Sequence, residues 1–306
     1  MNAEQKPRLD PDKVFVGANP IIWSNDDFNE LNGDLPLDEL LADMHRAGYA
    51  GSELGHAYPR SSDALRNALD SHQLRLVSGW HSTFFATQNR TSELDSLKKH
   101  CALLASLGAH VAIVAECSHC IHGDRNAALG YGDRDRKTLS AAEWTHLIDG
   151  MNAAIGVAAR HGLSLVYHHH MGTVIQTGDE LDRLLAGLPE LDLVLDPGHL
   201  AFAGLDPVAV LERHSKRVRH VHLKSVRAEI AEKARAESWS FHRAVCSGVF
   251  TIPGDGMVDF PAIFARLAAL DYAGWLVVEA EEDPTLVPPL PKAIRAREYV
   301  REQTGL

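Results

Sequence analysis

Histidine, carboxylate and lysine side chains collect at the ends of four consecutive apolar segments in the second half of the chain. They are His168, His169 and His170 in the first segment, Asp196 and His199 in the second, His220, His222 and Lys224 in the third, and Glu279 and Glu281 in the fourth. In a strand, residues two apart share a face, so several of these side chains point the same way. Unpaired buried charges are costly, and a divalent cation would neutralise them. Mixed nitrogen and oxygen ligands favour Mn²⁺, Co²⁺, Fe²⁺ or Zn²⁺ over Ca²⁺.

Each of these residues also has a purely structural interpretation. A single histidine at a strand end is usually a hydrogen-bonded structural group, and a single glutamate can form an ion pair with an arginine. Glu53 and Glu116 end two earlier apolar segments in the same manner. It is harder to explain in this way why four consecutive segments all have ligand-type residues at their carboxyl ends. The pattern therefore predicts a metal site.

Two other motifs are weaker. The segment Cys117-Ser118-His119-Cys120, with His122 nearby, suggests zinc, but a structural zinc site needs four ligands and the chain has no second Cys-x-x-Cys. We therefore expect an ordinary loop there. The chain has no Gly-x-Ser-x-Gly, the motif that places a nucleophilic serine in many acyl-transfer enzymes, so the sequence gives no support to that chemistry.

Short apolar segments alternate with amphipathic helical patterns along the whole chain. The predicted strands are Val14–Pro20, Tyr49–Gly55, Arg75–His81, His110–Glu116, Ser164–His170, Leu191–His199, Val218–Val226 and Gly274–Glu281. Glycines before the next strand, at 48, 108, 162 and 274, fit helix C-termini or the turns after them. This alternation predicts an α/β protein with a single (β/α)8 barrel. An open doubly wound sheet is the alternative, weakened because no Gly-x-Gly-x-x-Gly follows the first strand.

The barrel is expected to span residues 14–306 after a disordered lead-in at 1–13. Two connections are long, Cys117–Ser140 after the fourth strand and Arg227–Val258 after the seventh. Long connections in compact domains are usually functional. The second contains Trp239 and Phe241, and we expect it to cover the barrel mouth as a lid; a subunit contact through exposed aromatic side chains is the alternative.

Composition excludes some classes of protein. The chain has 306 residues, with 30 Lys and Arg against 41 Asp and Glu, a net charge of −11. That acidity disfavours nucleic-acid binding and the endonucleases that share this fold. No apolar run approaches the length of a membrane span or a secretory signal. Four cysteines make no disulfide framework, so a reducing cytoplasm is expected.

The segment Asn19–Asp27 (NPIIWSNDD) resembles the amino-terminal signature of the inosose dehydratases, which dehydrate 2-keto-myo-inositol in inositol catabolism. Five further blocks resemble the same family: HHHMGT at 168–173, LDPGHLAFAG at 195–204, HVHLKSVR at 220–227, GVFTIPGDGMVDF at 248–260 and GWLVVEAEEDP at 274–284. Ile22, Ser24, His169 and Glu282 differ from the commonest family residues, which leaves a related cyclitol or keto-sugar as an alternative substrate.

The resemblance implies a metal-dependent hydro-lyase among the sugar isomerase-like barrels. Its implied metal ligands are His168, Asp196, His222 and Glu279, with His170 as an alternative to His168. Mn²⁺ or Co²⁺ is the expected metal, and glutathione dependence is described for the family. The implied base is His199 or Glu281, with the other or His170 assisting departure of water and Lys224 adding positive charge.

The residues expected to bind the cyclic polyol are Asn19, Trp23, Asn25, Glu53, Glu116 and Arg227, with Trp23 covering the apolar face of the ring. An isomerase or epimerase using the same metal site is the second hypothesis. A non-catalytic barrel that senses a polyol is the third. A homo-oligomer is compatible with the sequence.

Overall fold

The computed structural model describes residues 8–28, 30–32, 34–130 and 136–306. Within them the strands are β1 (Val14–Ala18), β2 (Gly51–Leu54), β3 (Arg75–Thr83), β4 (Val111–Glu116), β5 (Ser164–His168), β6 (Asp192–Leu195), β7 (Val218–Leu223), β8 (Ser225–Val226), β9 (Phe250–Thr251) and β10 (Gly274–Val278). The helices are α1 (Leu37–Arg46), α2 (Ser62–Ser71), α3 (Arg90–Ser106), α4 (Ala141–Arg160), α5 (Gly178–Gly187), α6 (Pro197–Phe202), α7 (Pro207–His214), α8 (Ala228–Ala236), α9 (Phe241–Cys246), α10 (Phe260–Ala269) and α11 (Pro289–Thr304).

Eight parallel strands close into a barrel in the order β1-β10-β7-β6-β5-β4-β3-β2. Closure comes from β1, which pairs with β10 from Val14 opposite Gly274 to Ala18 opposite Val278, and with β2 on its other side. The predicted barrel is therefore confirmed, and the open sheet is wrong because the eight strands form a closed ring in which every strand has two neighbours.

Strand periodicity separates the barrel interior from the helix layer. In β4, Ala112 and Val114 belong to the main core, whereas Val111 and Ile113 form a small separate cluster with Val166 and Val194. Successive side chains of a strand point to opposite faces, so one set meets the helices and the other fills the interior.

Local signals set the helix ends. Side chains and backbone amides cap each other reciprocally at the start of α4, between Ser140 and Glu143. Gly48, Gly108 and Gly162 follow helices with positive φ, as predicted for C-terminal glycines.

Six of the eight predicted strands, all but the third and fourth, are too long at their carboxyl ends. The eighth ends at Val278 and not at Glu281. The fifth ends at His168 and not at His170. The sixth ends at Leu195, because the Asp196 side chain accepts a hydrogen bond from the His199 amide (2.9 Å) and caps α6, with Pro197 in its first turn. The seventh ends at Leu223, and β8 pairs antiparallel with β9 outside the barrel.

The connection 227–258 contains α8, α9 and β9, and β9 pairs with β8, which comes just before the connection. Trp239 and Phe241 are both buried, so the proposed subunit contact through exposed side chains at these two positions is wrong. The connection also meets the other long one, since the Leu129 amide donates to the Trp239 carbonyl (3.0 Å).

The predicted lead-in divides in two. Residues 1–7 lie outside the described residues, whereas Leu9 is buried and Lys13 donates to Asp271 (2.8 Å). Among the described residues, we find no helix long and apolar enough to cross a membrane.

Candidate metal centre and active site

Four strand ends bring together His168, Asp196, His222 and Glu279. His168 ends β5, Asp196 follows β6, His222 lies in β7 and Glu279 follows β10. Each offers one ligand atom, these atoms all lie within 4.8 Å of one another, and all four side chains are buried. This set is the one that the family resemblance implies.

The distances within this group suit a shared cation. Nδ1 of His222 lies 2.6 Å from Oε2 of Glu279 and 3.4 Å from Oδ2 of Asp196, while Nε2 of His168 lies 3.3 Å from the same Asp196 oxygen. Among the described residues, Oδ2 of Asp196 and Oε2 of Glu279 accept no hydrogen bond. Buried carboxylate oxygens without partners are costly, and a divalent cation between them removes that cost. The residues therefore fit a divalent metal.

Glu53 lies beneath this group and orients one of its histidines. Its Oε1 accepts from Nε2 of His220 (2.8 Å) and from Nε2 of His222 (3.2 Å). Because Nε2 of His222 donates, its Nδ1 has a lone pair, which lies 3.1 Å from Nε2 of His168 and faces the other potential ligands. Burial opposes ionisation, but His222 and His220 hold the pKa of Glu53 well below its usual range. Glu53 was predicted to bind the polyol; its hydrogen bonds indicate a positioning residue.

Lys224 is completely buried beside the centre. Its Nζ lies 2.6 Å from Oε1 of Glu279 and 3.0 Å from Nε2 of His199. Burial alone would lower the pKa of Lys224, but the surrounding carboxylates, led by that of Glu279, raise it above its usual value. The lysine therefore stays charged and offsets part of the negative charge of the centre.

A cavity of about 310 Å³ opens above the centre at the carboxyl ends of the strands, a size within the usual range for small-molecule sites. We call it the upper cavity. Its polar lining comprises Asn19, Asp26, Asp27, Glu53, His56, Arg60, Trp80, Ser82, His122, His168, His170, His222, Glu279 and Glu281. Of the predicted polyol-binding residues, only Asn19 and Glu53 are among them.

His170 and Glu281 line this cavity as predicted, and His199 lies behind them. One ligand-type atom from each of the three falls within a 4.8 Å group. Nδ1 of His170 lies 2.7 Å from the Met171 carbonyl and therefore donates to it, which leaves Nε2 as an acceptor. Burial raises the pKa of Glu281 to about 8, and among the described residues its Oε1 has no hydrogen-bond partner. His199 is fully buried and does not line the cavity.

Trp23 and Asn25 do not reach the upper cavity. Nε1 of Trp23 donates to Asp43 (3.2 Å), and Oδ1 of Asn25 accepts from the amides of Asp27 and Phe28 (2.8 Å each). Both residues shape the loop after β1. The Trp23 ring, which was predicted to cover the substrate, is buried and does not line the upper cavity.

Glu116 and Arg227 form hydrogen bonds that stabilise loops outside the upper cavity. Glu116 accepts from the amides of Phe85 (3.1 Å) and Ala86 (3.2 Å), which anchors the loop after β3. Arg227 donates to Glu282 and to the Gly248 carbonyl (2.6 Å each), which ties together the ends of the long connection. Neither lines the upper cavity, so the structure does not bring them together with the other predicted site residues.

The sequence analysis missed Asp27, Trp80 and His122 as cavity residues. The Trp80 ring is 36% exposed and lies 5.3 Å from the His168 ring, between centroids. Nε2 of His122 lies 3.9 Å from Oδ1 of Asp27. Burial alone would lower the pKa of His122, but Cys120 and Asp27 raise it to about 9. Two of them could have been found from their positions in the sequence: Trp80 lies near the end of the third predicted strand, and His122 lies in the long connection after the fourth.

Neither Cys117 nor Cys120 belongs to a group of potential metal ligands among the described residues. The three such groups contain only histidine, aspartate and glutamate. Phe241, from the long connection, closes the site on one side, with its ring centroid 5.2 Å from that of His170. The centre is thus shielded by an aromatic side chain from a distant part of the chain.

The fold and the site define a class. Residues 33–303 match the family model described as "Xylose isomerase-like TIM barrel", and the chain belongs to that family. Solved structures agree on the fold: a D-allulose 3-epimerase from Methylomonas sp. superposes with a TM-score of 0.67 at 19% identity, over 97% of this chain and 99% of that one. A probable 3-DHS dehydratase from Bacillus anthracis gives 0.67 at 13% identity, over 94% and 98%.

Curated relatives narrow the class. An inosose dehydratase of Geobacillus thermodenitrificans is 43% identical over 297 residues, which cover 96% of this chain and 98% of the relative. One from Clostridium beijerinckii is 38% identical, over 97% and 99%. The chain belongs to the inosose dehydratase family.

Proposed function

We propose that this protein is a hydro-lyase that dehydrates 2-keto-myo-inositol to a trihydroxycyclohexane-dione. The observation that carries the proposal is the 43% identity to an inosose dehydratase over nearly the full length of both chains. The buried group His168, Asp196, His222 and Glu279 supports a divalent metal, for which we propose Mn²⁺ or Co²⁺.

We propose that the polyol ring lies in the upper cavity. Asn19, Asp26 and His56 offer hydrogen-bonding groups to its hydroxyls. The partly exposed Trp80 ring takes the place that the sequence analysis gave to Trp23, against the apolar face of the substrate.

The difficult step is removal of the proton next to the carbonyl. When bound, a divalent metal polarises the carbonyl oxygen as a Lewis acid. Of the two predicted bases, Glu281 is supported by position: it lines the cavity and its Oε1 has no partner among the described residues. Lys224, at 3.6 Å from Oε2 of Glu281, favours the charge of that carboxylate, but burial outweighs it and leaves the pKa at about 8. Glu281 therefore gains its basic form as the pH rises through about 8, and turnover should rise with it.

Departure of the β-hydroxyl as water needs a proton. His122 lines the same cavity with a pKa of about 9, so it is protonated at neutral pH and suits the role of general acid. His170 offers Nε2 as an acceptor and would hold a substrate hydroxyl. This assignment adds His122 to the acids considered from the sequence.

The test incubates purified, Mn²⁺-loaded protein with 2-keto-myo-inositol and follows the ultraviolet absorbance of the conjugated dione. Glu281→Gln should abolish turnover while metal content stays unchanged. Glu282→Gln is the matched control, since this neighbour is bound by Arg227 and does not line the cavity. A new keto-inositol stereoisomer without dione would indicate the epimerase, and binding without any product would indicate the sensor; either result refutes the dehydratase.

Three further proposals concern the location, assembly and cofactor of the protein. All four cysteines are free, and two are buried, which supports the expected reducing cytoplasm. A homo-oligomer and a dependence on glutathione stay predictions from the sequence and the family resemblance.

A further inference from the structure

A second and larger cavity, of about 630 Å³, lies at the opposite end of the barrel. Residues at or before the amino-terminal ends of β1, β3, β4, β5 and β10 line it. We call it the lower cavity, defined by Lys13, Arg66, Arg75, Arg219, His220 and Trp275. It is separate from the catalytic end, because barrel enzymes place their chemistry at the carboxyl ends of the strands.

The lower cavity is basic in an acidic protein. Four cationic side chains line it, from Lys13, Arg66, Arg75 and Arg219, against the single carboxylate of Asp70, in a chain of net charge −11. Clustered like charges repel one another when no anion lies between them. Such an arrangement favours an anionic ligand.

Two of these cations are already paired. Lys13 donates to Asp271 (2.8 Å), and Nε of Arg219 lies 3.5 Å from Asp192. Among the described residues, neither Arg66 nor Arg75 has a carboxylate partner. Arg66 donates to the Ser106 carbonyl, and the Arg75 guanidinium lies over two rings, 4.1 Å from the Phe15 centroid and 4.5 Å from that of Trp275.

The stacking of Arg75 leaves its edge available. A guanidinium lying flat on a ring is held by its face and keeps its N–H groups directed outward. These donors match the oxygens of a phosphate or a carboxylate. Arg75 is thus oriented for an anion by its aromatic contacts.

His220 provides a third, independent indication at the inner end of the cavity. The side chain is fully buried, and its Nε2 lies 2.8 Å from Oε1 of Glu53 and donates to that carboxylate. Nδ1 is therefore a lone-pair acceptor, and among the described residues it has no hydrogen-bond partner. Buried acceptors without partners are rare, and a ligand O–H or N–H would satisfy this one.

Apart from His110 and Ser164, the rest of the wall is mainly apolar and includes Leu69, Leu74, Leu76, Leu107 and Val111. Inorganic phosphate alone would leave this surface uncovered. An organic body attached to the anion would cover it, as in most small-molecule sites. Two guanidinium groups without carboxylate partners also suit a dianion better than a single carboxylate.

We propose that the lower cavity binds a small organic phosphate monoester that carries a ring. The phosphate, with a charge of about −1.5 to −2 at pH 7, contacts Arg66 and Arg75. The ring lies against the leucines, and a hydroxyl or N–H group of the ligand donates to Nδ1 of His220. Binding in the lower cavity does not require the proposed dehydration, although His220 also donates to Glu53, which orients His222.

Isothermal titration of the metal-loaded full-length protein with adenosine 5′-monophosphate tests the proposal. We expect saturable binding, and at least tenfold weaker binding of adenosine and of inorganic phosphate titrated separately. Arg66→Glu should weaken binding of the nucleotide at least tenfold, because it reverses a charge at the surface of α2 and leaves the stacked Arg75 in place.

Arg60→Glu is the matched control. Arg60 is an exposed arginine that also donates to a backbone carbonyl, that of Gly55 (3.1 Å), but it lines the upper cavity. It should leave nucleotide binding unchanged, whereas Arg75→Gln should weaken it. Absence of binding, equal binding of adenosine, or loss of binding in Arg60→Glu but not in Arg66→Glu would each overturn the proposal. Circular dichroism of each variant establishes that it is folded.

Discussion

Replacing Glu53 by glutamine is expected to weaken metal binding without removing a ligand. The substitution keeps the size of the side chain but removes the charge that accepts from His220 and His222, at 2.8 and 3.2 Å. A glutamine can present its NH₂ group to Nε2 of His222, which would favour the other tautomer and place a proton on Nδ1. That proton would occupy the lone pair that faces Asp196 and Glu279.

The size of the effect follows from the geometry. Carboxylates that orient a metal-bound histidine typically contribute 10- to 100-fold in metal affinity, or about 1.4 to 2.7 kcal/mol. Glu53 contacts one of four potential ligands directly, and we expect a loss within that range. Competition with a fluorescent chelator for Mn²⁺ measures it.

Glu116→Gln is the matched control for this substitution. Glu116 is also a buried glutamate at a strand end, but its partners are the amides of Phe85 and Ala86 and the Thr83 hydroxyl. It should lower the melting temperature and leave Mn²⁺ affinity unchanged. Equal affinities of wild type and Glu53→Gln, or equal losses in the two variants, would refute the argument that Glu53 orients the centre.

Four other outcomes are expected. Exhaustive chelation should abolish turnover, and Mn²⁺ or Co²⁺ should restore it; full activity of metal-free protein would contradict this. Glu279→Gln should lower the metal content in elemental analysis at an unchanged circular-dichroism spectrum; stoichiometric metal in this variant would exclude Glu279 as a ligand. Phe241→Ala should cost about 3 to 5 kcal/mol of unfolding free energy and lower turnover at unchanged molecular mass, because the ring is fully buried against His170; wild-type turnover would exclude a lid. Turnover should fall as pH rises through about 9, where His122 loses its proton, and His122→Asn should remove that limb of the profile; an unchanged limb would exclude His122 as the acid.

The barrel and the four potential metal ligands were predictable for a shared reason. A strand repeats every two residues, so polar residues at the ends of apolar strands share a face, and parallel strands in a barrel carry those ends to one mouth. His168, Asp196, His222 and Glu279 needed only this rule and the family resemblance to be grouped. The chain positions of the strands therefore contain most of the information about the centre.

The polyol-binding predictions were less successful because loop residues obey no such period. Asn25, Glu116 and Arg227 have side chains that can bind a hydroxyl equally well in sequence terms. Their partners are backbone amides, a neighbouring carboxylate and carbonyls, reached only through the local path of the loops. The position of His122 in the upper cavity is likewise set by the path of a loop, since the connection after β4 folds back over the barrel mouth.

By itself the sequence determined the alternation of strands and helices, the single barrel and the residue types at its carboxyl end, because these depend on local periodicity. Only the tertiary structure decided which side chains face the upper cavity and which support it. It placed Glu53 against His222, Trp80 in the wall of the upper cavity and Phe241 against His170. These contacts join residues far apart in the chain, and their geometry depends on barrel closure and loop packing, which no local pattern encodes.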